Sequence, residues 1–164
     1  MLVPKTPAQS RVEMTEVVLP NDANALGNML GGRVLHYIDM AAAVTAMRHA
    51  GSPCVTASFD SVDFLSPIRI GEVCILKAQV TYTGRTSLEV RVEVYAENML
   101  TGERRRTTEA FTTFVAIDKQ SGAPTPVPPL QPETPDEVAL FQGAQERRKL
   151  RLQHRATHAG TETN

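Results

Sequence analysis

A single carboxylate, Asp39, lies in an apolar run of the sequence, seven residues after a pair of adjacent glycines, Gly31 and Gly32. At about 100° per residue, Gly32 and Asp39 fall within roughly 20° of each other around a helix axis, two turns apart. Burying a carboxylate is costly unless it has a partner. The spacing therefore predicts either a catalytic carboxylate on the helix face that begins at the glycines, or a buried Asp held by backbone or Arg partners.

The glycine pair favours a site for negative charge at a helix start. The N–H groups of a first helical turn lack partners within the helix, and the helix dipole attracts negative charge to that end. Glycine has no Cβ to keep a ligand away from these N–H groups. Gly31 and Gly32 can therefore bind a phosphate, or a carbonyl oxygen that becomes an oxyanion. The alternative is close backbone packing where the loop enters the helix.

Three polar residues near the glycines are less specific signals. The amide of Asn24 can orient water or polarise a carbonyl, but asparagine is also a common turn residue, and Asp22 is interpreted as turn chemistry. His36 precedes Asp39 by one turn on the same face. It is either an acid–base group or a hydrogen-bonded structural histidine.

A short polar turn at residues 84–87 combines one cation with two hydroxyls, in Arg85, Thr86 and Ser87. Such a turn can hold a phosphorylated group through charge-assisted hydrogen bonds, or it can be an ordinary hairpin turn. The four histidines form no ligand cluster with Cys or acidic residues, so no metal site is predicted. No nucleophile elbow, phosphate loop or dinucleotide fingerprint is present, and we expect no required cofactor.

The elements that must position these residues follow from the periodicity. A strand is predicted at 12–19, a loop at 20–28, and a helix from Met29 to Ala50 that Asn28 caps and Gly51 ends. The second half of this helix is apolar nearly all round, so we expect burial on most sides. Strands follow at 54–65, 73–83, 87–99 and 104–118, joined by short connections and therefore antiparallel. Within the third of these, Leu88, Val90, Val92, Val94 and Ala96 should point inward, and Glu89, Arg91, Glu93 and Glu97 outward.

The predicted domain organisation has one folded unit with extensions. It comprises an N-terminal arm (1–10), a main domain (11–120), a Pro-rich linker (121–135), a C-terminal basic helix (136–155) and a disordered tail (156–164). The basic end of that helix can contact phosphates, or it is a solvated helix or a contact between subunits.

Length and composition set outer limits on the protein. A chain of 164 residues fits one domain with a real core, and a net charge of −1 gives no electrostatic case for nucleic acid or an anionic membrane as a partner. We find no apolar run typical of a signal peptide or a transmembrane helix. Cys54 and Cys74 are predicted to be buried free thiols, which indicates a reducing, cytoplasmic setting.

This pattern of elements and motifs resembles a known family. One strand, a long apolar helix and an antiparallel meander resemble the α+β hotdog fold, with a long central helix wrapped by an antiparallel sheet and a C-terminal tail helix. The run P-N-D-A-N-A-L-G-N-M-L-G-G-R-V-L-H-Y-I-D-M (20–40), with D-S-V-D-F-L-S-P-I-R-I-G-E (60–72) and T-G-R-T-S-L-E-V-R-V-E-V (83–94), is similar to the bacterial hotdog acyl-CoA thioesterases. It is also similar to each half of the brain-type cytosolic acyl-CoA hydrolase. The similarity spans about residues 11–118.

The resemblance implies hydrolysis of an acyl-CoA thioester to a free acid and CoA, at a site between two subunits. The family's catalytic acid falls on Asp39, and its loop asparagine, supplied by the opposite subunit, falls on Asn24. The amides near Gly31 and Gly32 would polarise the thioester carbonyl, and the turn at 84–87 would lie near the CoA phosphates. The family also implies a homodimer with shared active sites, assembled into a homohexamer, with CoA as part of the substrate rather than a cofactor.

Several alternatives stay open at this level. Asp39 can act as a general base on water or as a nucleophile through a mixed anhydride. A different enzyme on the same fold, a hydratase acting on enoyl thioesters, would need a histidine, for which only His36 is placed. A non-catalytic acyl-CoA-binding module is the third possibility. The sequence does not indicate the preferred acyl chain length.

Overall fold

The chain folds into an antiparallel sheet that wraps a long helix. The computed structural model describes residues 2–159. Its elements are β1 (Val12–Val17), α1 (Gly31–Ala50), β2 (Cys54–Phe64), β3 (Val73–Thr83), β4 (Ser87–Glu97), β5 (Arg104–Ala116) and α2 (Pro135–Ala159), with 3-10 turns at Pro7–Gln9 and Pro20–Asp22. The predicted order of elements is confirmed.

The sheet has five strands in the order β1-β3-β4-β5-β2, and every neighbouring pair is antiparallel. Strands β3 to β5 form a meander, whereas β1 and β2 occupy the two edges. Helix α1 lies across the inner face. This α+β arrangement is the hotdog fold predicted from the sequence, with the additional C-terminal helix.

The core lies between α1 and the inner face of the sheet. The inward residues predicted for β4 are each no more than 1 % exposed: Leu88, Val90, Val92, Val94 and Ala96. Facing them, α1 buries Val34, Ile38, Ala41, Ala42, Thr45, Ala46 and His49. The small alanines let the helix approach the sheet closely, since interiors are packed nearly without voids. The predicted inner face of β4 is confirmed.

Helix α1 begins two residues later than predicted. Its N-cap is Leu30, in extended conformation, and its first residue is Gly31. Asn28 is not the cap, because Asn28 and Met29 belong to a loop that pairs with the segment before β3. There Met29 N–H donates to the carbonyl of Ile68 at 2.7 Å. The two glycines are consequently the first two residues of the helix.

The second half of α1 is buried on most sides as predicted, but one side of the helix is not covered within a single chain. Met40, Val44 and Met47 are 43, 39 and 40 % exposed. At this spacing they form one row along the helix. On the adjacent edge strand β2, Phe59, which pairs with the buried Thr112 of β5, is 39 % exposed. The sheet covers only one side of the helix, so these four residues form an exposed apolar surface, called here the α1–β2 surface.

Helix α2 packs on the outer face of the sheet, through contacts that the sequence did not predict. Glu89 points outward as predicted, but it is only 2 % exposed because Arg147 of α2 covers it, with Nη2 2.8 Å from Oε1. The Arg147 guanidinium also stacks on the ring of Phe111, 3.7 Å from its centroid. Arg151 pairs with Asp60 of β2 at 2.6 Å. The basic helix is therefore docked through its arginines rather than fully solvated.

The C-terminal helix also extends further than predicted. It runs to Ala159, so residues 156–159 of the predicted disordered tail are helical. Residues 160–164 lie outside the described residues.

The Pro-rich linker runs back along the domain and pairs with the N-terminal arm. Val127 N–H donates to the carbonyl of Arg85 at 3.0 Å, and Val127 is buried. Lys5 N–H donates to the carbonyl of Pro129, and Gln131 N–H donates to that of Lys5, both at 2.9 Å. Arm and linker thus hold each other in place.

His49 joins the arm and the linker to the end of α1. Its Nε2 donates to the carbonyl of Pro128 at 3.0 Å, and its Nδ1, 3.2 Å from the Ser10 hydroxyl, accepts from it. Burial lowers the pKa of His49, with a further contribution from the charge of Lys5. The Lys5 ammonium donates to the carbonyls of Arg48 and His49, which are unpaired at a helix C-terminus.

Both cysteines are free, as predicted. Burial raises the pKa of Cys54 to about 11 and that of Cys74 to about 12. Both thiols are therefore protonated and unreactive near neutral pH. Neither described helix has the length and apolar character needed to span a bilayer.

Candidate active site

Asp39 is held by a threonine from the neighbouring strand. The hydroxyl of Thr56 donates to Asp39 Oδ1 at 2.7 Å. Helix α1 ends at Gly51, whose positive φ of 70° lets the chain reverse, and β2 then runs back beside the helix. That reversal places Thr56 opposite the middle of α1. Thr56, 17 positions after Asp39 in the chain, thus orients the Asp39 carboxylate.

The contacts of Asp39 differ from those of a structural carboxylate. Asp39 is partly exposed, and within residues 2–159 neither an arginine nor a backbone N–H reaches it. Its Oδ2 has no hydrogen-bond partner in the same part of the chain. One oxygen is therefore fixed while the other stays free to accept a proton or to attack an electrophile.

The first turn of α1 presents open N–H groups. Arg33 and Val34 N–H donate to the carbonyl of Leu30 at 2.9 and 3.1 Å. The N–H groups of Gly31 and Gly32 have no acceptor among the described residues. A Cβ on Gly32 would meet no atom within 4 Å, so the space beside this residue is open. The helix start can therefore bind a carbonyl oxygen or an anion.

Asp22 anchors the loop to the start of the helix. Its carboxylate is buried and accepts from Arg33 Nε at 2.7 Å, while its carbonyl accepts from Leu30 N–H at 2.8 Å. It also accepts from Leu19 N–H at 3.3 Å. Asp22 thus has the turn role predicted for it and additionally fixes the direction in which α1 leaves the loop.

Asn24 is exposed and organises its own loop. Its Oδ1 accepts from the N–H groups of Leu26 and Asn28 at 3.0 and 3.2 Å, which is the side-chain turn expected of asparagine. This bonding directs the Nδ2 group away from the loop backbone, and Nδ2 has no acceptor in the described chain. No contact joins Asn24 to Asp39 within one chain.

The backbone of the turn at residues 84–87 forms hydrogen bonds within the described chain, whereas its one cation, Arg85, has no acidic partner there. Thr86 carbonyl accepts from Ala116 N–H at 2.9 Å, and Gly84 N–H donates to Ser87 carbonyl at 2.8 Å. The Arg85 side chain is exposed and forms no ion pair with the described side chains. Because Ile117 N–H bonds to the carbonyl of Pro53, the turn lies near the C-terminal end of α1, at the opposite end from the glycines.

His36 is not connected to the carboxylate. It is exposed, and its only described contact is a tilted ring contact with Tyr37 at 5.7 Å between centroids. Among the described residues, no three His, Cys, Asp or Glu side chains are placed to hold a metal ion. The structure therefore brings Thr56 to Asp39 and leaves His36, Asn24 and the turn apart from it in a single chain.

Thr56 is the site residue that sequence reasoning missed. Threonine is common in strands, so its type carried no signal. Its relation to Asp39 depends on how β2 returns along α1. No periodicity within either segment reports that placement.

A family model for the thioesterase superfamily matches residues 26–103. The uncharacterized acyl-CoA thioester hydrolase YkhA of Bacillus subtilis is 43 % identical over 149 residues, which cover 89 % of this chain and 86 % of that protein.

Solved structures also superimpose on nearly the whole chain. An apo-hexameric acyl-CoA thioesterase is 49 % identical with a TM-score of 0.90, covering 94 % of this chain and 99 % of that one. The acyl-CoA hydrolase of Staphylococcus aureus, solved with butyryl coenzyme A, coenzyme A and coenzyme A disulfide, is 36 % identical with a TM-score of 0.89, covering 96 and 95 % of the two chains. Three single Ala variants of that hydrolase have also been solved, which replace an Asn, an Asp and a Thr. In its sequence the Asp lies 15 residues after the Asn, and the Thr lies 17 residues after the Asp.

These similarities agree with the observed sheet order, the central helix and the family resemblance. The relative at 43 % identity is matched over most of its length, and the structural matches extend beyond the main domain to α2. The chain belongs to the hotdog-fold acyl-CoA thioesterases of the thioesterase superfamily.

Proposed function

We propose that this protein hydrolyses acyl-CoA thioesters to a free acid and CoA, with Asp39 as the catalytic carboxylate. The observation that carries the proposal is the bond from Thr56 to one oxygen of Asp39, which leaves the other oxygen available. The spacings support it as well. Asn24, Asp39 and Thr56 are 15 and 17 residues apart, as are the three residues replaced in the S. aureus acyl-CoA hydrolase.

The active site is shared between two subunits. Gly31 and Asp39 are separated by eight residues of one helix, which is about 12 Å along its axis. During the reaction, the N–H donors to a carbonyl oxygen and the group that attacks the carbonyl carbon must both lie within roughly 3 Å of that carbonyl. Gly31 and Asp39 of one helix are too far apart to act on the same carbonyl. One subunit therefore contributes Asn24 and the N–H groups of Gly31 and Gly32, and its partner contributes Asp39 and Thr56.

The exposed α1–β2 surface is the place where the second subunit binds. Its apolar side chains on α1 and β2 adjoin the carboxylate, and exposed apolar patches of this kind mark protein contacts. The edge strand β2 also has unpaired backbone groups, which invite pairing with a second copy. Dimers of this kind assemble further into a homohexamer, in line with the hexameric relative.

The reaction begins with the thioester carbonyl oxygen accepting hydrogen bonds from the N–H groups at the helix start. In the general-base route, Asp39 takes a proton from water, whose oxygen attacks the carbonyl carbon. The resulting tetrahedral oxyanion collapses and expels the CoA thiolate, which the proton on Asp39 neutralises. Each open N–H donor of this type contributes on the order of 10²–10³-fold to the rate.

In the nucleophilic route, Asp39 itself attacks the carbonyl carbon. The CoA thiolate leaves and an acyl–aspartyl mixed anhydride forms, which water then hydrolyses to the free acid and the original carboxylate. In either route the amide of Asn24 donates to the carbonyl oxygen or orients the water. Both routes use only protein groups and water.

The CoA phosphates bind at the turn of residues 84–87. Arg85 supplies an exposed cation without an acidic partner in the described chain, and Thr86 and Ser87 supply hydroxyls. These are the groups that bind phosphate well.

We assign the protein to the cytoplasm, because its thiols are free and protonated. There it acts on acyl-CoA in fatty acid metabolism. Its net charge of −1 gives no reason to expect nucleic acid or membrane partners.

The proposal is tested by measuring thiol release from acyl-CoAs in wild type, Asp39→Ala and Asn24→Ala. We expect wild type to release CoA and both variants to lose 10²-fold or more in kcat. Equal release by all three proteins would refute the mechanism. Enoyl-CoA hydration is measured in the same proteins, because water addition without CoA release identifies a hydratase. Acyl-CoA binding without either reaction identifies a non-catalytic binding module.

Site sharing is tested by mixing subunits. When Asp39→Ala and Asn24→Ala chains are co-expressed with different tags, a mixed dimer has one site with both changes and one intact site. Random pairing then restores roughly a quarter of wild-type activity. If both residues acted within one chain, no mixture would regain activity.

A further inference from the structure

Strand β2 contains two β-bulges in its pairing with β5. Ala57 and Asp60 have no partner on β5, whereas the residues on either side of each pair with consecutive residues of β5. An extra residue of this kind bends the strand and shifts its alternation by one position. Bulges are frequent next to active sites, where they re-aim a side chain. Ala57 directly follows Thr56, the hydrogen-bond partner of Asp39, so the bulges lie where the orientation of Thr56 is decided.

The two bulges together set the face of the sheet on which Thr56 lies. Residues directly opposite each other in an antiparallel pair share a face. Thr56 and Val62 pair with Phe114 and Ala110, which are both fully buried in the core, so Thr56 and Val62 both lie on the inner face. Because side chains alternate along a strand, residues six positions apart share a face only when the number of extra residues between them is even. With one bulge alone, Thr56 would point away from Asp39.

Asp60, the unpaired residue of the second bulge, is held by three donors. Its carboxylate accepts from the hydroxyl of Ser58 at 3.1 Å, from that of Thr113 at 2.9 Å and from Arg151 Nη1 at 2.6 Å. Its side chain is only 10 % exposed. Ser58 and Thr113 pair with each other between the two bulges. One carboxylate thus binds both strands and α2 at the place where the register of β2 is set.

We propose that Asp60 is a positioning residue, which holds the bulged register of β2 and thereby directs the Thr56 hydroxyl to Asp39. The inference rests on the proposed function, and the proposed reaction has no other role for this buried carboxylate. Without it, its three donors no longer favour the bulged register over one that is shifted by a residue. Thr56 then reaches Asp39 in only part of the molecules. Helix α2 thereby acts on the catalytic carboxylate through Arg151.

A double-mutant cycle on the full-length protein tests this role. Asp60→Ala should lower kcat for acyl-CoA by about fivefold or more and leave KM nearly unchanged, because no group that binds the substrate is removed. In the Thr56→Val background no hydroxyl remains to be directed, so Asp60→Ala should lower kcat there by less than about twofold. An equal loss of kcat in the two backgrounds, or no loss in the wild-type background, would overturn the proposal.

Glu89→Ala is the matched control. Glu89 is also a buried carboxylate on the outer face, and it accepts from the hydroxyl of Thr81 at 2.6 Å and from Arg147 of α2 at 2.8 Å. It lies on β4, which β5 separates from β2. Glu89→Ala should therefore keep kcat within about twofold of wild type. A loss of kcat as large as that of Asp60→Ala would assign the effect to the docking of α2 and overturn the role of the bulge.

Thr113→Val protects the test against a folding defect. It removes one donor to Asp60 and keeps a β-branched side chain, which suits a strand. This variant should lower kcat by about twofold to threefold, and the loss should disappear in the Thr56→Val background. If Asp60→Ala does not fold, a kcat of Thr113→Val equal to that of wild type overturns the proposal. Failure of the proposed function has a different signature: wild type releases no CoA, or Asp39→Ala is as active as wild type.

Discussion

Thr56 donates its hydroxyl hydrogen to Oδ1 of Asp39 over 2.7 Å, which joins the edge strand β2 to the middle of α1. Hydrogen bonds to a charged group are stronger than those between neutral groups. This bond fixes the rotation of the carboxylate and leaves Oδ2 unpaired within the described chain. The helix thus supplies the charge, and the strand supplies its orientation.

Thr56 is expected to act as a positioning residue. Thr56→Val keeps the shape and removes the hydrogen bond, so kcat falls by about 10-fold or more, while KM for acyl-CoA changes little. Thr56→Ser keeps the hydroxyl and restores most of kcat. Steady-state kinetics of both variants provide the measurement. An equal loss of kcat in the two variants would mean that packing of the methyl group, not the hydroxyl, matters.

The open N–H of Gly31 can be removed without breaking the helix. Gly31 is the first helical residue, where proline is well tolerated, and the extended conformation of Leu30 suits a following proline. Gly31→Pro should therefore lower kcat by roughly 10²-fold with an unchanged unfolding midpoint.

The matched control is Gly31→Ala, which retains the N–H. Its added Cβ makes an ordinary 3.7 Å contact with Phe64. This variant should keep kcat for acetyl-CoA within a few-fold of wild type. Equal activity of the Pro and Ala variants would exclude this N–H as an oxyanion donor.

Arg85 is expected to contribute to CoA binding and not to the chemical step. Arg85→Ala should raise KM for acyl-CoA about tenfold, the effect of one lost charge-assisted hydrogen bond, and leave kcat nearly unchanged. An acyl-pantetheine substrate, which lacks the nucleotide phosphates, should show no such rise. Lys119→Ala, another exposed cation, is the control for a general charge effect. A similar rise in KM for acyl-pantetheine would argue against phosphate binding by Arg85.

The buried His49 predicts a stability that depends on pH. Its pKa is lowered in the folded protein, chiefly by burial, so below about pH 6.5 the unfolded chain binds a proton that the folded chain does not. The free energy of unfolding therefore falls as the pH drops from about 6.5 toward the folded pKa. Above that window His49 is neutral in both states and adds no pH dependence.

Urea unfolding at several pH values between about 7.5 and 5 measures this contribution. His49→Asn removes the titrating ring, so its free energy of unfolding should decline less steeply with falling pH than that of wild type. Parallel pH profiles for the two proteins would show that His49 is not responsible. Groups that titrate equally in wild type and His49→Asn contribute equally to both pH profiles, so the difference between the profiles reports on His49 alone.

Much of the fold was predictable from local patterns. The alternation in β4 identified the inner face from Leu88 to Ala96, and Gly51 marked the end of α1. The family motif around Asn24, Gly31, Gly32 and Asp39 led to the thioesterase family, which the comparisons confirm. The roles of these residues in catalysis stay predictions, since no observation on this chain tests them.

Other features depend on segments far apart in the chain. Glu89 points outward as predicted, but Arg147 from α2 covers it. The apolar second half of α1 was predicted to be buried on most sides, and the one row at Met40, Val44 and Met47 faces away from the sheet. Local periodicity reports which face of an element is apolar, and it does not report what packs against that face.

The sequence by itself determined the secondary structure, the inner face of the sheet and the family, because each is encoded in nearby residues or in a contiguous motif. Only the tertiary structure decided which strand reaches Asp39, that Thr56 is its partner, and that Arg147 of α2 covers Glu89. The physical reason is that a hydrogen bond or an ion pair of this kind requires atoms of several elements to meet in space. That meeting is set by how the helix and the strands pack together, and no spacing along the chain specifies it.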